Sequence, residues 1–119
     1  MKNVKKKIIN LTPHAITLID DMGNKNIIPS NGTLRVSTQD IVTGMINNIP
    51  TYKVNFSGVD LPEEIMKLAL SEQAIFIVSK ITLDAIKQKY PDIADKFYIT
   101  HKTVRDKDGV IIGARGLAQ

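Results

Sequence analysis

Short stretches in which apolar and polar residues alternate fill the first half of the chain. Residues that favour turns, mainly Asn, Asp, Gly, Pro and Ser, separate these stretches, and many of the apolar side chains are β-branched. Both features are typical of β-strands. Asn47 and Asn48 interrupt the longest stretch, and asparagine tolerates the positive φ angles of a tight hairpin. We therefore predict strands at residues 7–10, 15–20, 26–28, 34–37, 41–46 and 49–56.

Helical spacing replaces alternation in much of the second half. Pro62, Glu63 and Glu64 suit the first turn of a short helix, where the helix dipole favours acidic side chains. Residues 82–90 repeat apolar side chains at helical spacing up to Pro91, which predicts a second helix. The remaining strands are predicted at 74–78, as the most central one, and at 97–100, 103–105 and 110–114. This order predicts an α+β fold: a mostly antiparallel sheet of short strands with one or two helices in a single compact domain.

Positive charge is concentrated at the start of the chain. The 119 residues carry a net charge of +4 at pH 7, and four lysines with no acid fall within residues 1–7. The other lysines and arginines balance the aspartates and glutamates. Because a nucleic-acid surface needs several cations on the folded body, nucleic acid is disfavoured as a partner. We assign residues 1–7 to a basic lead-in and residues 8–119 to a single α+β domain.

The composition favours a cytoplasmic protein that has no membrane contact. The chain has no cysteine, which excludes disulfides and thiolate metal sites and fits a reducing compartment. No apolar run approaches the ~20 residues of a membrane span, and the apolar stretch after the basic start is shorter than that of a signal peptide. Two isolated histidines do not form a recognisable metal site, so neither a metal nor a cofactor is expected.

A break between the first two predicted strands gathers polar side chains. Asn10, Thr12 and His14 offer an amide, a hydroxyl and an imidazole around Pro13, which cannot continue the strand. Loops held by a rigid scaffold commonly carry binding residues, so we predict that these three side chains contact a ligand. In the alternative, Asn10 and Thr12 satisfy the loop backbone and His14 is a packing residue.

Anion-binding groups occur at a predicted helix start and on three arginines. Ser79 and Lys80 precede the second helix, whose exposed amides would suit a phosphate, although ordinary capping explains Ser79 equally well. Arg35, Arg105 and Arg115 carry planar guanidinium groups that bind phosphate in a bidentate way. Arg105 has aspartates close by that would pair with it, whereas Arg35 has none and is the freer candidate.

One histidine suggests a catalytic alternative. His101-Lys102-Thr103 matches the His-x-Thr element of two-histidine phosphoesterases, in which paired imidazoles exchange protons at a phosphate. The second copy that this mechanism needs is missing, because His14 is followed by a threonine one residue too far along. A phosphodiesterase with His14 and His101 as base and acid therefore stays an alternative.

Several short motifs follow one another along the chain. They are Asn10-Leu11-Thr12-Pro13-His14, Pro29-Ser30-Asn31-Gly32 with Arg35-Val36, Leu61-Pro62, Ile77-Val78-Ser79, and Val104-Arg105-Asp106 with Gly109 and Ile112-Gly113. In this order they resemble a family of short phage and prophage proteins, and the resemblance covers nearly the whole chain. His101 departs from the family pattern, whose members often have proline or glycine nearby, and this weakens the two-histidine alternative.

The phage context suggests a function by analogy. Several unrelated families of small phage proteins sequester nucleotide immune signals, such as cyclic ADP-ribose variants or cyclic dinucleotides. We therefore expect an anti-defence protein of the bacterial host cytoplasm that binds such a signal without cleaving it and has no catalytic residue. The phosphodiesterase and a structural or host-protein-binding phage module are the alternatives. A homo-oligomer is expected, because a second protomer supplies wall area that one small domain lacks.

Overall fold

The computed structural model describes residues 3–34 and 36–119, except for the side chains of Phe56 and Ser57. Strands and helices follow the predicted order within these residues, except that the separate strands predicted at 34–37 and 41–46 form one continuous strand, as do those predicted at 97–100 and 103–105. The strands are β1 Lys7–Asn10, β2 Ile16–Ile19, β3 Lys25–Ile28, β4 Val36–Ile46, β5 Ile49–Val59, β6 Ala74–Ile77, β7 Phe97–Arg105 and β8 Ile111–Ala118. The helices are α1 Glu63–Ser71 and α2 Lys80–Lys89, and a short 3-10 turn covers Ala94–Lys96.

Six strands form one mixed sheet in the order β1-β6-β7-β8-β2-β3. The pairs β1/β6, β6/β7 and β2/β8 are parallel, and the pairs β7/β8 and β2/β3 are antiparallel. The α+β class is therefore confirmed, but the sheet is not mostly antiparallel. Helix α2 crosses from the end of β6 back to the start of β7, and such a crossover makes the two strands parallel. Strand β6 is interior but second from the edge, not the most central.

The two edge strands of this sheet meet at one end. Asn10 at the end of β1 forms a parallel bridge with Ser30, just beyond β3, and the Asn31 amide donates to the Asn10 carbonyl at 2.8 Å. The sheet is thus curled into a half-open barrel. We call this end, where β1, β3 and β6 finish, the closed end, and the opposite end, where they begin, the open end.

One face of the curled sheet packs against the helices. Phe76 and Phe97 are fully buried there, with their rings stacked at 4.9 Å, and Leu83 and Ile86 of α2 are fully buried in the same cluster. Side chains alternate along a strand, so the neighbours of Phe76 in β6 and of Phe97 in β7 point to the opposite face of the sheet. The second face therefore forms the inside of the half-open barrel.

Strands β4 and β5 form a separate two-stranded ribbon. Val59 and Leu34 are buried in the helix-side core, whereas nearly all described residues from Ser37 to Asn55 are exposed. Asn47 and Asn48 make the turn with φ of 49° and 64°, as predicted. The radius of gyration is 17.1 Å, against about 13.5 Å for a compact chain of this length. The expectation of compactness therefore holds for the body but not for the ribbon.

Neither helix of the described residues is long and apolar enough to cross a membrane.

Candidate functional site

The inside of the half-open barrel contains a cavity of about 550 Å³ at the open end. Its walls are mainly aliphatic and come from strands that meet there. Ile8 of β1, Leu18 of β2, Ile28 of β3 and Leu117 of β8 line it. All four are partly exposed, since the helices cover only the other face of the sheet. Ligand pockets in proteins commonly have this size and this apolar character.

Polar side chains stand at the rim of this cavity. Lys6 precedes β1, Arg115 lies on β8, and Asp20 and Asn26 flank the turn between β2 and β3. Alternation explains two of them: Lys6 is two residues before Ile8, and Asn26 pairs with Leu18 across the β2/β3 ladder. The rim therefore combines two cations, one carboxylate and one amide.

The carboxylate of the rim is engaged in its own turn. Asp20 Oδ1 accepts hydrogen bonds from the backbone amides of Met22 and Asn24, both at 2.9 Å. The backbone amide of Asn24 is the main cause that holds the pKa of Asp20 below its ordinary value, so the group is ionised at neutral pH. The ion pairs found among the described residues do not involve Lys6 or Arg115. Both cations are therefore open to an anionic ligand.

A second cavity of about 430 Å³ adjoins the first. Lys6, Ile8 and Leu117 line both, and Tyr98 and Ile75 belong to the second alone. The cation of Lys96 also lines it but is paired, at 3.2 Å with Glu72 and 3.3 Å with Asp95. The hydrogen bond to Glu72 is the main cause of the raised pKa of Lys96. The site thus has two lobes, and Lys6 stands between them.

Asn10 and Thr12 lie at the closed end, away from both lobes. The Asn10 amide group donates to the carbonyls of His14 at 2.7 Å and Ile28 at 3.1 Å. Its Oδ1 accepts from the Thr12 amide at 3.0 Å and from Thr12 Oγ1 at 2.6 Å. Asn10 has no exposed surface. Its polar atoms are therefore used by the loop itself, which is the alternative that the sequence left open.

Ser79 and Lys80 also lie at the closed end, at the start of α2. Ser79 Oγ accepts from the Thr82 amide at 3.3 Å and donates to Thr82 Oγ1 at 2.9 Å. Lys80 pairs with Asp84 at 3.0 Å, one helical turn away. Both contacts are local to the helix, so Ser79 acts as the N-cap of α2.

The two predicted arginines that the structure describes, Arg105 and Arg115, are not brought to one point. Arg105 lies at the tip of the β7/β8 hairpin, where its guanidinium donates to the Gly109 carbonyl at 2.7 Å rather than to an aspartate. Arg35 lies outside the described residues. Arg115 is the arginine that lines the open-end cavity.

The strand register separates the two histidines. His101 of β7 pairs with Gly116 of β8. Leu18 of β2 pairs with Ala114 of β8 in a parallel register, so Ile16, the first residue of β2, is level with a position of β8 four residues before Gly116. That offset is ~13 Å along the sheet, β8 stands between the strand of His101 and β2, and His14 lies in the loop that precedes β2. The geometry therefore does not bring the two imidazoles to one phosphate.

A small cleft of about 150 Å³ lies among residues of β2, β7 and β8 and is lined partly by Thr17. Its volume is below the usual size of a ligand pocket.

Sequence reasoning missed most of the cavity rim. The sequence pattern places Lys6 in the basic lead-in and both Asp20 and Asn26 in strands, without a further role. Continuing the alternation of β1 backwards by one step puts Lys6 on the face of Ile8, and this signal was present in the sequence. The sequence does not show that Lys6 and Arg115 line the same cavity, because this depends on how the sheet curls.

Within the described residues, no group of His, Asp and Glu is arranged to hold a metal ion. The chain matches no protein-family model, and no curated protein or solved structure is significantly similar to it.

Proposed function

We propose that this protein captures a small nucleotide signal, of the cyclic ADP-ribose or cyclic dinucleotide type, and holds it without cleaving it. The place of action is the cytoplasm of a bacterial cell infected by a phage. The single observation that carries the proposal is the two-lobed cavity at the open end, in which Lys6 stands between two mainly apolar lobes.

The two lobes suit a ligand whose two parts flank phosphate. In a cyclic dinucleotide each part is a base with its ribose, and in cyclic ADP-ribose the single base and the second ribose would take one lobe each; both kinds of part need an apolar wall and a few polar groups, which the lobes supply. Tyr98 offers an aromatic face in the second lobe, where a base could stack. Lys6 and Arg115 supply the positive charge that the phosphates need, and the guanidinium can bind a phosphate through two parallel hydrogen bonds.

The site proposed here differs from the residues that the sequence singled out. Asn10, Ser79 and Arg105 make contacts within their own loops, cap and hairpin. We therefore assign them to the scaffold and assign the phosphates to Lys6 and Arg115. This assignment makes the two sets of residues separable by mutation.

Isothermal titration of the purified protein with a panel of cyclic dinucleotides and cyclic ADP-ribose isomers tests the proposal. We expect at least one of them to bind, and Arg115→Gln to weaken binding about 10- to 100-fold, because a charge-assisted hydrogen bond contributes ~1.5–3 kcal/mol. Arg105→Gln is the matched control, since that arginine is also exposed and on a neighbouring strand. Its affinity should stay within about twofold of wild type.

The fate of the bound ligand distinguishes capture from catalysis. After the complex is heated, chromatography should recover the nucleotide intact and in full. Recovery of a cleaved product would overturn the proposal in favour of a phosphodiesterase. Absence of binding to every member of the panel, or loss of binding in Arg105→Gln rather than in Arg115→Gln, would overturn the assignment of the site.

A further inference from the structure

The β4/β5 ribbon has one face that is apolar and uncovered. The register pairs Val42 with Tyr52, Met45 with Pro50 and Asp40 with Val54, and directly paired residues point to the same face. An extra residue at Thr43 keeps Met45 on that face despite the odd spacing. We call Val42, Met45, Pro50, Tyr52 and Val54 the apolar stripe.

The other face of the ribbon is mixed, because Ile46 and Ile49 beside the turn are each 65% exposed while polar side chains occur on its middle rungs. Thr43 and Thr51 share a hydrogen bond at 2.9 Å there, and Lys53 pairs with Ile41. On the stripe, by contrast, Val42 is 62% exposed, Met45 70%, Tyr52 55% and Val54 50%. The stripe is the more continuously apolar of the two faces, and a contiguous exposed apolar face commonly marks an interaction surface.

The ribbon also lacks support from its own chain. Strands of 11 residues reach about 35 Å, and an isolated two-stranded hairpin is only marginally stable in water. Helix α2 packs against its base, and Lys89 of that helix pairs at 2.7 Å with Asp60, just beyond β5. Beyond the base, the described residues of the body leave the stripe uncovered.

Charge decides which class of partner fits the stripe. Between Val36 and Val59 the charged residues are Asp40 and Lys53, and Asp40 alone lies on the stripe face. A ribbon that enters a nucleic-acid groove or lies on an anionic membrane needs several lysines or arginines. A neutral stripe suits a neutral apolar partner instead, and a second copy of the same stripe meets that requirement.

We propose that the stripe is a homodimer interface, in which two ribbons pack face to face and antiparallel about a twofold axis. The Val42/Tyr52 rung is the middle one and lies at the axis, because a twofold interface brings the same surface of both copies together. Asp40 of each copy then lies at the rim, near the asparagine turn of the partner ribbon. Its charge stays hydrated there, as at the polar rim of other interfaces.

The area of the stripe sets the strength of the dimer. The exposed fractions of its side chains amount to roughly 500 Å² per copy, or roughly 1,000 Å² in total, at the lower end of specific interfaces. We therefore expect a reversible dimer that forms in the micromolar range and dissociates on dilution.

Sedimentation equilibrium over about 1–200 µM protein tests this interface. Wild type should shift from 13.2 kDa towards twice that mass with rising concentration. Val42→Glu should raise the dissociation constant more than tenfold. Ile41→Glu is the matched control, because Ile41 is adjacent, exposed, and on the opposite face. It should stay within about threefold of wild type.

Cysteine cross-linking gives a second measurement that does not depend on weakening the dimer. The chain has no cysteine, so a single introduced thiol can form only an intermolecular disulfide. Under mild oxidation, Tyr52→Cys should give a covalent dimer, and Lys53→Cys on the opposite face should give much less. A wild-type mass of one chain at the highest concentration, equal effects of the two glutamates, or equal cross-linking at both positions would overturn the proposal. A monomer that instead sediments with anionic lipid vesicles would also overturn it, in favour of a membrane surface.

Discussion

Replacing Asn10 by alanine tests whether the polar loop at the closed end is scaffold or site. The side chain is fully buried and takes part in four hydrogen bonds: two that it donates to the carbonyls of His14 and Ile28, and two that it accepts from Thr12. One of them joins β1 to the end of β3, beside the bridge to Ser30. Asn10→Ala therefore removes part of the closure of the half-open barrel.

The expected loss of stability follows from these bonds. A neutral hydrogen bond contributes ~0.5–1.5 kcal/mol, and a carbonyl left buried without a partner adds a further cost. The hydroxyl of Thr12, whose single proton is directed at Asn10 Oδ1 in the wild type, can turn in the variant to the His14 carbonyl 3.1 Å away, so that oxygen regains a partner. We expect a decrease in the free energy of unfolding of about 2–4 kcal/mol, a large part of the ~5–15 kcal/mol of a typical domain.

Urea denaturation followed by circular dichroism measures this decrease, and nucleotide titration of the same variant measures binding. We expect lower stability and, in the folded protein, an affinity within about threefold of wild type, because Asn10 does not line the cavity and touches its wall only through the backbone carbonyl of Ile28. Thr12→Val is the control: it keeps the backbone amide bond to Asn10 and should cost less than half as much. Unchanged stability with binding lost would refute the reasoning and make Asn10 a ligand residue.

Two further substitutions test a cap and an ion pair. Ser79→Ala removes the N-cap of α2 and should lower the unfolding free energy by about 1 kcal/mol in urea denaturation, with nucleotide affinity unchanged. A tenfold loss of affinity without loss of stability would instead place Ser79 against the ligand. The hydrogen bond from Lys89 lowers the pKa of Asp60. The ion pair therefore stabilises the folded protein when the pH is above the unfolded pKa of ~3.9, and this stabilisation is lost as the pH falls through the lower pKa of Asp60 in the folded state. Asp60→Asn should therefore melt slightly below wild type at pH 7, and the difference should shrink progressively as the pH falls below ~3.9; a difference that stays constant through that range would contradict this origin.

The sequence was sufficient to locate the elements because local signals and tertiary structure agree. Strand β1, the turn at Asn47 and Asn48 and both helices lie where alternation, turn chemistry and helical spacing placed them. Strand β8 extends four residues beyond its predicted end at Ala114, because pairing with β7 continues to Ala118. Pairing partners are set by the whole sheet, so a local pattern does not fix where a strand ends.

The topology and the site were harder to predict for the same reason. Strands β4 and β5 show the same alternation of apolar and polar residues as the strands of the body. They form a separate ribbon because, among the described residues, no third strand pairs with them. The sequence pattern draws attention to Asn10 as a ligand residue, but a buried amide can serve a loop or a ligand, and the sequence does not tell which. Lys6 and Arg115 are 109 positions apart in the sequence, and they line the same cavity because the sheet curls.

The ribbon is anchored on the helix side of the six-stranded sheet, and the cavity lies on the other side of that sheet. Leu34 and Val59 anchor the ribbon in the core between the sheet and the helices. The cavity lies on the face that the helices do not cover, with Ile8 and Leu117 in its wall. Two ribbons packed through their stripes as proposed therefore leave both cavities open, and each chain is then expected to hold the proposed ligand by itself. Since neither interface residues nor ligand residues are shared, the structure offers no contact through which one event would change the free energy of the other, and the ligand affinity should be the same in monomer and dimer.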